Sequence, residues 1–285
     1  MSIETLYSIT KAIYFLLVLQ TAGGWLYYHL FASQLHNSEE GLKQALIKLS
    51  YISFFYALVF QWFDAVKFMG SYDAIADLAL QKMILQSSLG LSKTMTLLGL
   101  AFIMSSIKIK QQAKTITATI GIVLIALSFT YTGHTSDHTE RVFLAPALFS
   151  HIMIIFFWFG SLLPLILSLR LEEKATLHRL ITSYSRIASW LVPVIFISGI
   201  YLALTIMDGF AFTDHIYGNI LLFKAVIFGV LMLLATINKW RLGPALESNA
   251  RDASLKLQRS ILLEFVLIVL MIIATAILTS NFSPN

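Results

Sequence analysis

Eight apolar runs govern what this 285-residue chain can become. They lie near residues 6–31, 45–63, 83–105, 116–132, 145–169, 183–206, 217–238 and 259–280. A helix needs about 20 apolar residues to cross the hydrocarbon core of a bilayer, and each run is close to that length or beyond it. The runs are continuously apolar rather than alternating, which excludes a transmembrane β-barrel. Charged residues make up only 12% of the chain, roughly half of what a soluble domain carries. Little sequence remains for a soluble domain. The expected fold is all-α: a polytopic membrane protein, a bundle of eight transmembrane helices forming one domain over 1–285.

Lysine and arginine set the expected orientation. Lys43, Lys48, Lys108, Lys110, Lys114, Arg170, Lys174, Arg179, Lys239, Arg241, Arg251, Lys256 and Arg259 all fall in the loops after odd-numbered runs or at the very start of the run that follows. Lys67, Lys82 and Arg141 fall after even-numbered ones. The positive-inside rule then puts the first group in the cytoplasm and both termini outside. The net charge of +5 is mostly this asymmetry, so no nucleic-acid partner is expected. The first run is too long for a signal peptide and lacks a small-residue cleavage site, so it reads as a retained helix.

The chain contains no cysteine. That removes disulfides, thiolate metal sites, iron–sulfur clusters and a cysteine nucleophile together. No phosphate-binding loop, dinucleotide fingerprint or HExxH is present, which argues against nucleotide-driven pumping and against an enzyme. Segment 64–82, with Asp64, Asp73 and Asp77, reads as a short amphipathic stretch on the outer surface. Pro164 and Pro193 fall inside runs and should bend helices or free a carbonyl. Pro146 fits a first helical turn. A faint echo links Gly23–Trp25 (GGW) to Trp158–Gly160 (WFG), too short to establish a repeat.

Function in such a bundle resides in polar residues within or beside the spans. His134, His138, His151 and His215 fall on the expected outer side; His29, His36 and His178 fall on the inner side. His151, Ile155 and Trp158 share one helix face. The fourth and fifth runs are joined by a short loop and should be antiparallel neighbours, letting His134 and His151 approach. Imidazole suits copper, zinc and iron, and thioether favours monovalent copper, so Met153 and Met207 could add to such a site. Lys93, Lys224 and Glu264 are ionisable residues at membrane depth. A Lys93–Glu264 pair would reduce both burial penalties, whether as a structural bridge or as a gate. Lys224 sits about 10 Å into its helix and should either snorkel or pair with Asp214 or Asp64.

The last hundred residues resemble the copper resistance protein D (CopD) family of bacterial inner-membrane proteins. The resemblance rests on YSRIASWLVPVIFISGIYLAL (184–204), YGNILLFK (217–224), NKWRLGPAL (238–246) and RSILLEF (259–265), in order and leading to a terminal helix and Pro284. Upstream, His151, Trp158 and Gly160 resemble the family's fifth helix, and Gly133–His134 the exit of its fourth. The CopD-like region spans 180–285.

The resemblance implies copper transport across the inner (plasma) membrane, usually inward, beside a separate periplasmic copper-binding partner of the CopC type. The external loops are not methionine-rich, so a high-capacity collecting surface is not expected. His134 and His151 would hold the ion, with His215, His138 or Met207 as further ligands. Trp158, Lys93, Lys224 and Glu264 would line the path or form structural ion pairs. Two rival readings stay open. One is a haem b membrane oxidoreductase, with histidines on neighbouring helices as axial ligands. The other is a CtaG-like factor delivering copper to an oxidase.

Overall fold

The computed structural model describes residues 2–109, 111–133, 139–207, 216–248 and 250–282. The helices are α1 (Ile3–Phe31), α2 (Glu39–Phe60), α3 (Phe63–Met69), α4 (Leu78–Leu85), α5 (Ser88–Ser106), α6 (Gln111–Ser128), α7 (Arg141–Leu171), α8 (Lys174–Ile206), α9 (Ile216–Ile237), α10 (Gly243–Ser248) and α11 (Ala250–Asn281). A π-helical turn, Asn238–Leu242, joins α9 to α10. Eight of the helical segments are long and apolar enough to cross a membrane, and no strand occurs among the described residues.

Hydrocarbon surrounds such a bundle, so apolar contact alone gives neighbouring helices little reason to associate. Close backbone approach and interhelical hydrogen bonds do that instead. Both are concentrated on α1, which packs against α2, α6, α7 and α11. The Thr21 and Ser53 hydroxyls meet at 2.7 Å, and the Trp25 indole donates to Ser50 Oγ at 2.9 Å, pinning α1 to α2. Tyr14 donates to Thr96 on α5 at 3.1 Å, and Thr96 donates onward to Ser128 of α6 at 2.8 Å. Gln20 donates to the Gly160 carbonyl of α7 at 3.1 Å.

The two short glycine motifs noted in the sequence meet here. A Cβ on Gly23 would strike the Phe156 carbonyl and the Gly160 backbone, and one on Gly160 would strike Gly23. Gly99 and Gly121 make the same kind of contact between α5 and α6. Only glycine permits these crossings. α1 and α7 are accordingly the most enclosed spans, and α8 and α9 the least.

Tyr56 donates to the Thr10 carbonyl, so α2 runs back along α1. Lys11 donates to the Thr279 carbonyl, and Asn281 to Ser8. The start of α1 and the end of α11 therefore lie at one end of the bundle. At the other end, the Glu172 carboxylate accepts from the backbone N–H groups of His36, Asn37 and Ser38 and from the Ser38 hydroxyl, at 2.6–3.0 Å. It ties the α1–α2 loop to the α7–α8 loop.

Three local expectations change. The run 83–105 is not one helix: α4 ends at Leu85, and the Ser87 hydroxyl caps a new helix by accepting from Gly90 N–H. Segment 64–82 is two short helices around a 3-10 turn, and its Asp64 is buried rather than exposed. α7 begins at Arg141, so Pro146 falls in the second turn, not the first, and His151 lies about 15 Å inside the helix.

Candidate functional site: a polar column between the C-terminal spans

His151, Trp158 and Glu264 fall on one line through the C-terminal half of the bundle. α7 contributes the first two, on one face and two turns apart, about 10 Å along its axis. His151 Nδ1 lies 3.1 Å from the Ser198 hydroxyl of α8, and its ring packs against Gly199. Lys224 is half-buried. Asp64, one of its expected partners, is engaged elsewhere, and the other, Asp214, lies outside the described residues.

Two turns along, the Trp158 indole donates to Glu264 Oε2 of α11 at 3.1 Å, and Asn238 Nδ2 donates to Glu264 Oε1 at 2.6 Å. Glu264 is 4% exposed. The π-helical turn places Asn238, and the amide's other atom, Oδ1, is buried with no hydrogen-bond partner. Both side chains face a cavity of about 260 Å³ between α7, α8, α9 and α11. Tyr184 lines it, stacked on Phe157 at 5.1 Å. Lys239 and Ser189, joined at 2.6 Å, lie at its edge. Phe228 of α9 stands edge-on to Trp158 at 6.4 Å and stacks on Phe196 of α8 at 6.1 Å. The arrangement offers an imidazole and a hydroxyl at one level, and a carboxylate and an amide oxygen at the next, with aromatic rings alongside. Such donors suit a cation that is handed on rather than held.

The expected Lys93–Glu264 pair does not form. Lys93 Nζ lies 3.2 Å from Asp64 Oδ2, with Lys93 6% and Asp64 4% exposed. Tyr7 donates to the other Asp64 oxygen at 2.7 Å, and the ammonium sits 3.6 Å from the Phe60 ring centroid and 4.8 Å from that of Tyr14. This ion pair joins α1, α2, α3 and α5, away from the column. α3 follows α2 almost without a break, and this carries Asp64 back into the bundle. Met207, another expected ligand, packs with Tyr217 and Leu278 in an apolar cluster. His134, His138 and His215 lie outside the described residues. Among the described residues no group of three or more His, Asp or Glu side chains is arranged to hold a metal ion.

Reasoning on sequence missed Ser198 and Asn238, the partners of His151 and Glu264. Serine inside a span carries no distinguishing signal. Asn238, which ends an apolar run just before Lys239, could have been noticed.

Eight apolar spans enclosing a buried polar column define a multi-pass helical membrane protein. Residues 178–278 match the family model described as copper resistance protein D, and this stretch comprises most of α8 and all of α9, α10 and most of α11. Over residues 178–278 the chain thus carries a CopD domain. It is also 29% identical over 135 residues to copper resistance protein D of Pseudomonas syringae pv. tomato, a match covering 45% of this chain and 44% of that protein. The chain therefore matches less than half the length of this relative. No solved structure matches it.

Proposed function

We propose that the chain moves copper ions across a bacterial inner membrane, inward, as a carrier without catalytic chemistry, and thereby contributes to copper homeostasis or resistance. The names of the family model and of the relative support the role in copper resistance. The polar column supports the movement: the half-buried His151 imidazole lies two turns, about 10 Å, along α7 from Trp158, whose indole holds the buried Glu264 carboxylate of α11. Copper is the cargo. It is received at the His151–Ser198 level, with His134 as the first candidate to join it from the neighbouring loop. It passes the Trp158–Phe228 ring pair and reaches the cavity bounded by Glu264 and Asn238. Pro164 and Pro193, inside α7 and α8, give these helices points at which to bend.

Orientation follows the positive-inside rule, with both termini in the periplasm. The inside-negative membrane potential then favours cation entry. A separate periplasmic copper-binding protein of the CopC type is the proposed donor.

Two measurements test this. Metal content is read by mass spectrometry on protein from copper-supplemented cells, for wild type and His151→Ala. Copper uptake is read in proteoliposomes, for wild type, His151→Ala and Glu264→Gln. Copper bound to wild type and lost with His151, together with uptake slowed at least about tenfold in both variants, supports the reading. Uptake unchanged in both variants overturns the column as the route. Iron at one per chain without copper would replace this reading with that of a haem b protein.

A further inference from the structure

A second cavity lies at the opposite level of α8 from Ser198. It is an open pocket of about 540 Å³, lined by the 3-10 turn Ala32–Gln34, the loop residue His36 and the first turns of α8, with Arg179, Thr182 and Arg186 exposed. Arg179, Thr182, Ser183 and Arg186 recur along one α8 face and point into it, with Ser33 and Gln34 opposite. No carboxylate lines it. Glu172 accepts hydrogen bonds from the loop residues His36, Asn37 and Ser38. Gln34 Oε1 is buried with no hydrogen-bond partner, so rotation of its amide to present N–H₂ to an acceptor breaks no bond.

Depth along α8 indicates what such a pocket meets. Arg186 is the last charge before an apolar stretch, 187–206, which measures about 30 Å as a helix and matches a bilayer core. Trp190, 79% exposed, lies one turn into that stretch, and Trp240, 70% exposed, follows Lys239, which is tied to Ser189. Exposed indoles at one level mark the border of hydrocarbon and headgroups. Arg186 then stands in the headgroup layer and Arg179 just beyond it. Guanidinium groups grip phosphate through paired hydrogen bonds, and hydroxyls complete its shell.

We propose that this pocket binds a phosphate-bearing anion, delivered chiefly as the headgroup of an anionic phospholipid in the leaflet that borders the start of α8. The bound headgroup braces the end of α8 against the α1–α2 loop, at the foot of the helix that carries Ser198 and lines the Glu264 cavity. Basic pockets between spans are a known setting for anionic headgroups. The inference does not depend on the copper reading, because it concerns lipid binding by a different set of residues.

Native mass spectrometry of the full-length protein tests it, with phosphatidylglycerol or phosphatidylcholine added. The variants are Arg179→Gln/Arg186→Gln, Thr182→Trp, which fills the pocket without changing charge, and Lys256→Gln as a basic control outside it. Thermal unfolding without lipid checks that each variant folds. Wild type and the Lys256 variant should retain phosphatidylglycerol at least about fivefold better than phosphatidylcholine, and the two pocket variants should lose that preference. In a parallel arm, millimolar inorganic phosphate replaces lipid. Protection by free phosphate alone, abolished in both pocket variants, keeps the anion site but assigns it to soluble phosphate. Equal retention of both lipids by wild type with no effect of phosphate, or a preference that survives in both pocket variants, overturns the proposal.

Discussion

Lys93 and Asp64 form an ion pair 3.2 Å apart in the interior of the bundle. Nothing in the spacing of the two residues announces the pair, because Asp64 lies just past the end of an apolar run. The aspartate accepts from Tyr7, and the ammonium lies over the Phe60 and Tyr14 rings. Every element that meets at this point therefore contributes to holding two charges away from water.

Removing one partner strands the other. Lys93→Met should lower stability in detergent by about 3–5 kcal/mol. Asp64→Asn should do comparable damage, since it leaves the ammonium without its counter-charge. The double variant Lys93→Met/Asp64→Leu should recover much of the loss, because replacing both charges removes the uncompensated one. Thermal unfolding of the four proteins checks this; a double variant no better than the worse single one would mean that the pair does not act as a unit.

The glycine crossing of α1 and α7 makes a sharper structural prediction. Gly160→Val drives two methyl groups into the Gly23 backbone, and the helices cannot separate without losing the Gln20 hydrogen bond to the Gly160 carbonyl. The expected loss is about 3 kcal/mol or more. Gly41, exposed on α2 with open space about it, is the contrasting site. Gly41→Ala should be neutral or stabilise by up to about 1 kcal/mol, through helix propensity alone. Gel filtration and thermal melts distinguish the two.

Glu264 gives a functional prediction separable from folding. Glu264→Gln preserves shape and can keep the oxygen that accepts from Asn238, so the melting temperature should move by only a few degrees. Copper uptake should nevertheless fall at least about tenfold, because a neutral amide attracts a cation poorly. Trp158→Phe removes the indole donor but leaves the carboxylate, and uptake should fall less, by about two- to fivefold. A larger loss in Trp158→Phe than in Glu264→Gln would indicate that the ring, not the charge, governs passage.

The eight spans were legible because hydrocarbon demands long apolar runs, and that demand is written residue by residue. His151, Trp158 and Glu264 were legible because polar groups at membrane depth stand out against such runs. Their grouping was partly legible, since His151 and Trp158 share a face by helical spacing alone. Pairing across helices was not. Lys93 could have met Glu264 or Asp64 with equal sense until the short helix α3 fixed the place of Asp64. Met207 was offered as a further ligand on its chemistry, and the structure shows its packing beside Tyr217 and Leu278, which no spacing announced. Gly23 and Gly160 were noticed for the wrong reason, as an echo of sequence rather than as two halves of one contact.

The remaining prediction concerns pH and the loop tie at Glu172. Burial alone would raise the Glu172 carboxyl, but the Ser38 hydroxyl and the Ser38, Asn37 and His36 N–H groups outweigh it and hold the carboxyl below its ordinary value. A carboxyl with a lowered folded-state value stabilises the fold above its unfolded value, about 4.3, and that contribution disappears as pH falls through the folded-state value. Glu172→Gln should therefore destabilise the protein at pH 7, by about 1–3 kcal/mol for the lost charged hydrogen bonds. The gap between wild type and variant should narrow as pH falls below about 4, where wild type takes up the proton that neutralises the same carboxylate. Paired melting curves at pH 7, 5 and 3 read this directly. A gap that stays constant across that range would mean that Glu172 acts by shape rather than by charge.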